Sequence, residues 1–197
     1  MIFDYYTKNI NIEKLIHFSK LKSLKILDFG CGKGIWNKEN LSNKKIKKII
    51  LFDKEKKLKL FLKKKYTNKK IEVNFKLNKI IKKNNYNLVI FYSVIQYIGK
   101  KNLFKLIKKL SLKKTFIITD IPFFPRIIEF LILPILNFKR FLFVLKIIFS
   151  KNYKKLNFYY FRKTDFKELD KYFFITFRSN LHDLKFLRYT VILEPKN

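Results

Sequence analysis

Alanine is missing from this 197-residue chain, and glycine and proline number only four each. Cysteine occurs once, arginine five times and acidic residues 14 times, against 41 lysines. The lone Cys31 excludes an internal disulfide and any cysteine-built zinc cluster. With so little glycine and proline there is no flexible linker of the usual composition, and no internal repeat is visible. The apolar segment 123–149 is too interrupted to span a bilayer. Its longest uncharged stretch is Phe130 to Phe138, well short of the ~20 apolar residues a crossing helix needs. Scarce arginine tells against bidentate recognition of phosphate or guanine. The formal charge of +32 then has two readings. Lys, Asn, Ile and Phe all have A/T-rich codons, so lysine can accumulate on solvated faces without a partner. Alternatively the charge serves an anionic partner, nucleic acid or membrane.

What is present is a folding chain. Hydrophobic residues make up 48% with 23 Phe, and the length suits one domain, residues 1–197, with its own core. MIFDYYTKN carries no apolar signal region, and the expected setting is reduced and cytoplasmic. Apolar spacing predicts a helix over 10–22, then strands at 24–29, 46–52, 71–77, 88–92 and 115–119. Helices are expected at 55–65 and along Leu103, Leu106, Ile107 and Leu110. Strands alternating with helices at this spacing indicate a parallel α/β sheet. Thr164-Asp165 reads as a helix start, and Phe173–Phe177 and Phe186–Leu193 as two closing strands. His17 falls among apolar residues and reads as packing; Cys31 reads as a small filler inside a turn.

Three of the four glycines, Gly30, Gly32 and Gly34, fall within five residues, directly after the strand pattern Ile26-Leu27-Asp28. A strand running into such a turn lets main-chain N–H groups approach a ligand. A Walker loop does not fit, because Asp28 stands where its first glycine belongs and Lys33 is followed by Gly34. A dinucleotide fingerprint fits poorly: the third glycine comes one residue early, and Asp28 would repel a pyrophosphate. The string hydrophobic-hydrophobic-Asp-x-Gly-x-Gly-x-Gly resembles the first motif of class I S-adenosylmethionine-dependent methyltransferases. That donor is cationic at its sulfonium and ammonium and carries no phosphate, which suits an acid at the strand end. The resemblance covers residues 1–121 and returns in KFLRYTVILEPK, similar to the family's final strand.

The resemblance implies a Rossmann-like, mostly parallel seven-stranded sheet with helices on both faces and an apolar helical cap, about 122–155, after strand five. It implies S-adenosyl-L-methionine as cofactor, no metal, and a donor lying against Asp28, Gly30, Cys31, Gly32 and Gly34. Asp53, 23 residues after Gly30, would take the ribose hydroxyls, with Lys54 beside it and Glu55 a lesser substitute. Leu77 or Asn78 would pack on adenine. YNLVIFYSVIQYI resembles the fourth strand and its loop, so Ser93 and Val94 would border the methionine part, with Gln96 and Tyr97 facing the transfer site. Asn87 stands where the family commonly has Asp. His182, tuned by Asp183, and Asp120 are the candidate catalytic groups; Tyr5 and Tyr6 are candidate pocket residues. Tyr92-Ser93-Val94-Ile95 lacks the Asn/Asp-Pro-Pro-aromatic arrangement of base N-methyltransferases. The implied acceptor is a small molecule, an oxygen of a metabolite, lipid or surface-glycan precursor. RNA methylation along a lysine-rich surface is the alternative, and a non-catalytic scaffold at an anionic membrane a third reading.

Overall fold

Strands buried on both faces must be apolar at every position rather than at alternate ones. The run Leu88-Val89-Ile90-Phe91-Tyr92 meets that demand and forms β4 (Leu88–Tyr92), buried throughout. The computed structural model describes residues 11–122, 142, 159–179 and 188–196. In them β4 lies beside β1 (Leu24–Phe29), which pairs on its other side with β2 (Ile46–Phe52). Outward from there come β3 (Ile71–Asn74) on one flank and β5 (Thr115–Pro122), β7 (Arg188–Pro195) and β6 (Phe173–Ser179) on the other. The order is β3-β2-β1-β4-β5-β7-β6, parallel except for β7, which runs antiparallel to both neighbours. The chain leaves β1 toward β3 and returns to continue from β4, so the strand order reverses between β1 and β4. At such a switch point the crevice at the carboxyl ends of the strands is open to a ligand.

Consecutive residues of the central strands point to opposite faces, and each face is sealed by its own helices. One layer joins Leu27, Val89, Phe91, Phe116 and Ile118 to α4 (Leu77–Lys83), α5 (Lys100–Leu110) and a 3-10 helix over Lys163–Leu169. The other joins Ile26, Ile49, Leu88, Ile90 and Ile117 to α1 (Ile12–Ser19), α2 (Lys38–Ser42) and α3 (Leu58–Lys65) through Leu15, Leu41 and Leu62. Helices thus cover both faces, as the resemblance implies.

Several boundaries differ from expectation. α1 is shorter than 10–22 because Asn11 caps it, accepting from the Lys14 N–H at 2.9 Å, and Lys20 ends it in the left-handed region at φ +53°. β3 stops at Asn74 rather than 77: the Asn74 side chain accepts from the Lys76 N–H at 3.0 Å, and this Asx turn sends the chain into α4. α3 begins at Leu58, since Asp53 holds the Glu55 N–H and keeps residues 53–55 out of the helix. β5 continues past Thr119 to Pro122, with irregular pairing between Ile118 and Ile121 where Asp120 turns left-handed. The stretch expected to start a helix at Thr164 is a 3-10 helix from Lys163. Neither α2 nor α4 is among the expected helices. His17 is exposed rather than packed, because α1 turns Leu15 to the sheet and His17 away from it. The expected cap, apart from Pro122 and Leu142, lies outside the described residues.

Phe166 anchors the β6 side of the first layer. It is fully buried, with ring centroids 6.0 Å from Phe161, 6.3 Å from Phe177 and 6.5 Å from Phe104. Phe166→Ala is expected to cost about 3–5 kcal/mol. Urea unfolding should show this as a lower midpoint at unchanged slope; a loss under about 1 kcal/mol would mean this layer is not a packed core.

Candidate functional site

The glycine turn is tied to the end of β2 and to the residue that follows it. Gly30 and Cys31 N–H both donate to the Phe52 carbonyl, at 2.7 and 3.0 Å, and Gly34 N–H closes the bend on the Cys31 carbonyl at 2.8 Å. Asp53, at the end of β2, accepts from Gly32 N–H through Oδ2 and from Glu55 N–H through Oδ1, both at 2.9 Å. From α3 the Lys65 ammonium donates to the carbonyls of Lys33 and Gly34 at 2.9 and 2.8 Å. Amides are drawn to a carboxylate and carbonyls to an ammonium, so the bend is fixed from both sides.

The glycines do different work. A Cβ on Gly30 would lie 2.5 Å from Val94 Cγ2, and one on Gly34 would run into the Tyr66 ring. Those two are required by packing. Gly32, at φ +54°, faces open space: an added Cβ meets nothing within 4 Å. It leaves the backbone open on that side of the turn.

Behind the turn Asp28 is buried, 1% exposed. Its Oδ2 accepts from the Trp36 indole N–H at 2.8 Å, while Oδ1 is buried with no hydrogen-bond partner. An orphaned carboxylate oxygen is costly, and it is a place where a donor or cation would be gained. Burial pushes the Asp28 carboxyl up to about 7; the Trp36 bond opposes this and the Asp53 charge adds to it. Burial likewise raises the Cys31 thiol far above its usual range, with the Asp28 and Asp53 charges adding. Cys31 is therefore an inert filler, its thiol 3.7 Å from the Gly32 carbonyl.

Across the switch point, two non-glycine residues sit in the left-handed region at adjacent strand ends, Ser93 at φ +51° and Asp120 at φ +64°. Ser93 Oγ donates to Asp120 Oδ2, and Gln96 Nε2 donates to the Ser93 carbonyl at 3.1 Å. From β7, Arg188 donates to the Asp120 carbonyl at 3.2 Å and brings Nε to 3.9 Å from Oδ1. Asp120 is thus held by a hydroxyl and a guanidinium, which suits a positioning group better than a proton acceptor. Among the described residues no cluster of three His, Cys, Asp or Glu could hold a metal.

The structure therefore brings together Asp28, the glycine turn, Cys31 and Asp53, and beside them Val94, Ser93 and Asp120. Lys54 is exposed just beyond Asp53. Leu77 and Asn78 open α4 instead of ending β3, and Asn78 accepts from Lys109 at 3.3 Å. The strand end next to the site is Asn74. His182, Asp183, Tyr5 and Tyr6 lie outside the described residues. Sequence reasoning missed Trp36 and Arg188. A tryptophan two residues past the last glycine of the turn was the available signal for the first; nothing local marked the second.

No family model and no curated relative matches the sequence. Solved structures match the fold. A SAM-dependent methyltransferase from Anabaena variabilis aligns with TM-score 0.62 at 14% identity, over 97% of this chain and 87% of that one. N-methyltransferase NodS from Bradyrhizobium japonicum, in complex with S-adenosyl-L-homocysteine, aligns with TM-score 0.58 at 10% identity, over 94% and 86%. Magnesium protoporphyrin IX methyltransferase from Synechocystis, with bound SAH, aligns with TM-score 0.55 at 13% identity, over 93% and 80%. The fold is that of class I SAM-dependent methyltransferases, as the glycine-turn resemblance implies.

Asp28 generates a pH prediction. Its folded pKa of about 7 exceeds the ordinary 3.8, so the folded state holds a proton the unfolded state has released. The stabilisation is complete below about pH 4 and is lost as pH rises through 7, on the order of 4 kcal/mol for a shift of this size. Asp28→Asn, which keeps an acceptor for Trp36, should raise the melting temperature of the ligand-free protein at pH 8 and flatten its decline between pH 5 and 8. A variant whose melting temperature follows the parent's pH curve would exclude Asp28 as the titrating group.

Proposed function

We propose that this protein is a methyltransferase that binds S-adenosyl-L-methionine at the glycine turn and methylates a small-molecule acceptor, on oxygen. The observation that carries the reading is the pairing of an unsatisfied buried carboxylate oxygen on Asp28 with open space over Gly32. Two buried acids converge on one turn in a chain with 46 basic and 14 acidic residues, which suits a cationic ligand. Gly32 would admit the ligand's body against the backbone. Asp53 uses one lone pair of Oδ2 on the turn and one of Oδ1 on the Glu55 N–H, and keeps others for ribose hydroxyls.

When bound, the cofactor supplies a methyl group on a positive sulfur, open to in-line displacement by an acceptor's lone pair. The chain's contribution is then chiefly positioning, which can lower a barrier by on the order of 7–11 kcal/mol. The rigid turn fixes one reactant. Ser93 and Asp120, locked by Arg188 and Gln96, form a shaped wall at the ends of β4 and β5 for the other. An unionised hydroxyl acceptor must lose a proton. His182 is our candidate for taking it, ahead of the ion-paired Asp120. The Tyr92-Ser93-Val94-Ile95 sequence favours oxygen over exocyclic amines of bases. The charge of +32 keeps RNA as a second acceptor class, one that predicts affinity falling by orders of magnitude between about 50 and 200 mM salt.

Calorimetry with S-adenosyl-L-homocysteine tests the site. Gly32→Ala should remain folded, losing about 1–2 kcal/mol to its left-handed backbone, and bind at least about tenfold more weakly. Asp53→Ala should lose binding more severely, since it frees the turn as well as removing the acceptor. Gly34→Ala should chiefly destabilise the fold through Tyr66. Unchanged affinity in both Gly32→Ala and Asp53→Ala would overturn the site assignment.

A further inference from the structure

The solvent face of α3 is built unlike a solvated lysine-rich face. Positions 57, 60, 61 and 64 lie together on it by helical spacing, and read Lys57, Leu60, Phe61 and Lys64. Leu60 is 81% exposed and Phe61 43%, while Leu62, on the inner face, is fully buried. Seven lysines and one acid, Glu55, occupy the remaining positions of residues 54–65 outside the four apolar ones. Lys33 of the glycine turn and Lys65 place their ammonium groups 5.8 and 5.9 Å from the Phe61 ring centroid. The result is an apolar pair at the centre of a basic ring, on the helix that leads directly away from Asp53.

We propose that this face of α3 docks the protein on an anionic lipid surface, with Leu60 and Phe61 entering the boundary between headgroups and acyl chains and the surrounding lysines meeting the phosphates. Each half of the feature suits that occupant. Apolar side chains gain by leaving water for the acyl boundary, and lysines near an anionic leaflet add attraction that one insertion alone lacks. A second copy of this chain does not suit it, because facing two copies of residues 54–65 would bring seven lysines against seven. RNA suits it less well. None of the five arginines lies on α3, and an exposed aliphatic Leu60 offers a phosphate backbone nothing. No helix among the described residues is long and apolar enough to cross a membrane, and the contact proposed is a peripheral one. Docking here would set the lipid plane beside the turn, since Lys65 both flanks Phe61 and holds the turn's carbonyls.

A chain of this charge binds anionic vesicles weakly wherever it touches them, so the test must separate α3 from the rest. Co-sedimentation of the full chain with phosphatidylcholine vesicles, with and without phosphatidylglycerol, supplies the baseline. Leu60→Ser combined with Phe61→Ser leaves the charge at +32 and should reduce partitioning on anionic vesicles at least about tenfold. Lys63→Gln with Lys64→Gln should reduce it severalfold, and the matched pair Lys108→Gln with Lys109→Gln on α5 should change it less than twofold. Leu60→Trp gives an independent readout without removing apolar surface. The native Trp36 is 2% exposed, so brominated lipid should quench only the added indole. Equal losses from the α3 and α5 lysine pairs, full partitioning of the double serine variant, or an unquenched Trp at position 60 would overturn the proposal. So would a double serine variant that keeps its vesicle binding and loses retention on single-stranded RNA.

Discussion

Everything at the crest of this sheet is arranged around one carboxylate that its own chain leaves half satisfied. Asp28 sits at the end of β1 because the strand must end at the switch point, and it is buried because Trp36 folds back over it. One oxygen is answered by the indole; the other has no partner. A fold tolerates such a group where a ligand completes it, and it must then keep water and stray cations from doing so first. The stiffness of the glycine turn follows from that need. Asp53 draws in the Gly32 amide, the Phe52 carbonyl takes two more amides, and Lys65 holds the carbonyls on the far side. The backbone can approach a ligand over Gly32 without collapsing onto Asp28.

The strain at the other wall has a related logic. Ser93 and Asp120 adopt left-handed backbone without being glycine, each at a cost of about 1–3 kcal/mol. Their mutual hydrogen bond and the Arg188 contacts offset part of it. The return is placement. Two polar side chains on neighbouring strands are turned across the crevice rather than into the layers above and below. Thr119 shows what the regular alternative looks like: one residue before Asp120, it is fully buried and shares a 2.8 Å hydroxyl contact with Thr190 of β7. The irregular pairing between Ile118 and Ile121 is where β5 changes from core strand to crevice wall.

What the sequence reveals and what it hides follow from the range of the interactions. β4 is legible because five consecutive apolar residues permit little except a strand buried on both faces. The turn is legible because glycine is so scarce that three within five residues need a cause. That Asp53 follows directly on the second strand is legible from the apolar run before it, although its bond to the Gly32 amide is not. α2 has five residues, too few for a period to show, and rests on a capping box between Asn37 and Asn40. The end of β3 depends on one asparagine side chain that a hydropathy pattern ignores. Trp36 joins the site only because the turn folds it back over Asp28, eight residues earlier. Arg188 meets Asp120 across 68 residues through an antiparallel pairing that no local signal encodes.

A chain carrying +32 would seem a poor place to hold a cation. Distance and screening resolve the conflict. The lysines are spread over solvated surface, where charges are damped within ~8 Å at physiological ionic strength. Asp28 and Asp53 lie beneath the turn, 1% and 8% exposed, where the medium screens far less. A cationic ligand seated there as proposed would favour the ionised form of Asp28 and be attracted by both acids more strongly than it is repelled by the bases outside. The same separation lets α3 serve two environments. Its inner face carries Leu62 into the core, its outer face presents Leu60 and Phe61 to solvent, and Lys65 at its end reaches back to the turn. Long-range charge and local site chemistry can thus have opposite signs in one small domain, provided that the acids are buried and the bases solvated.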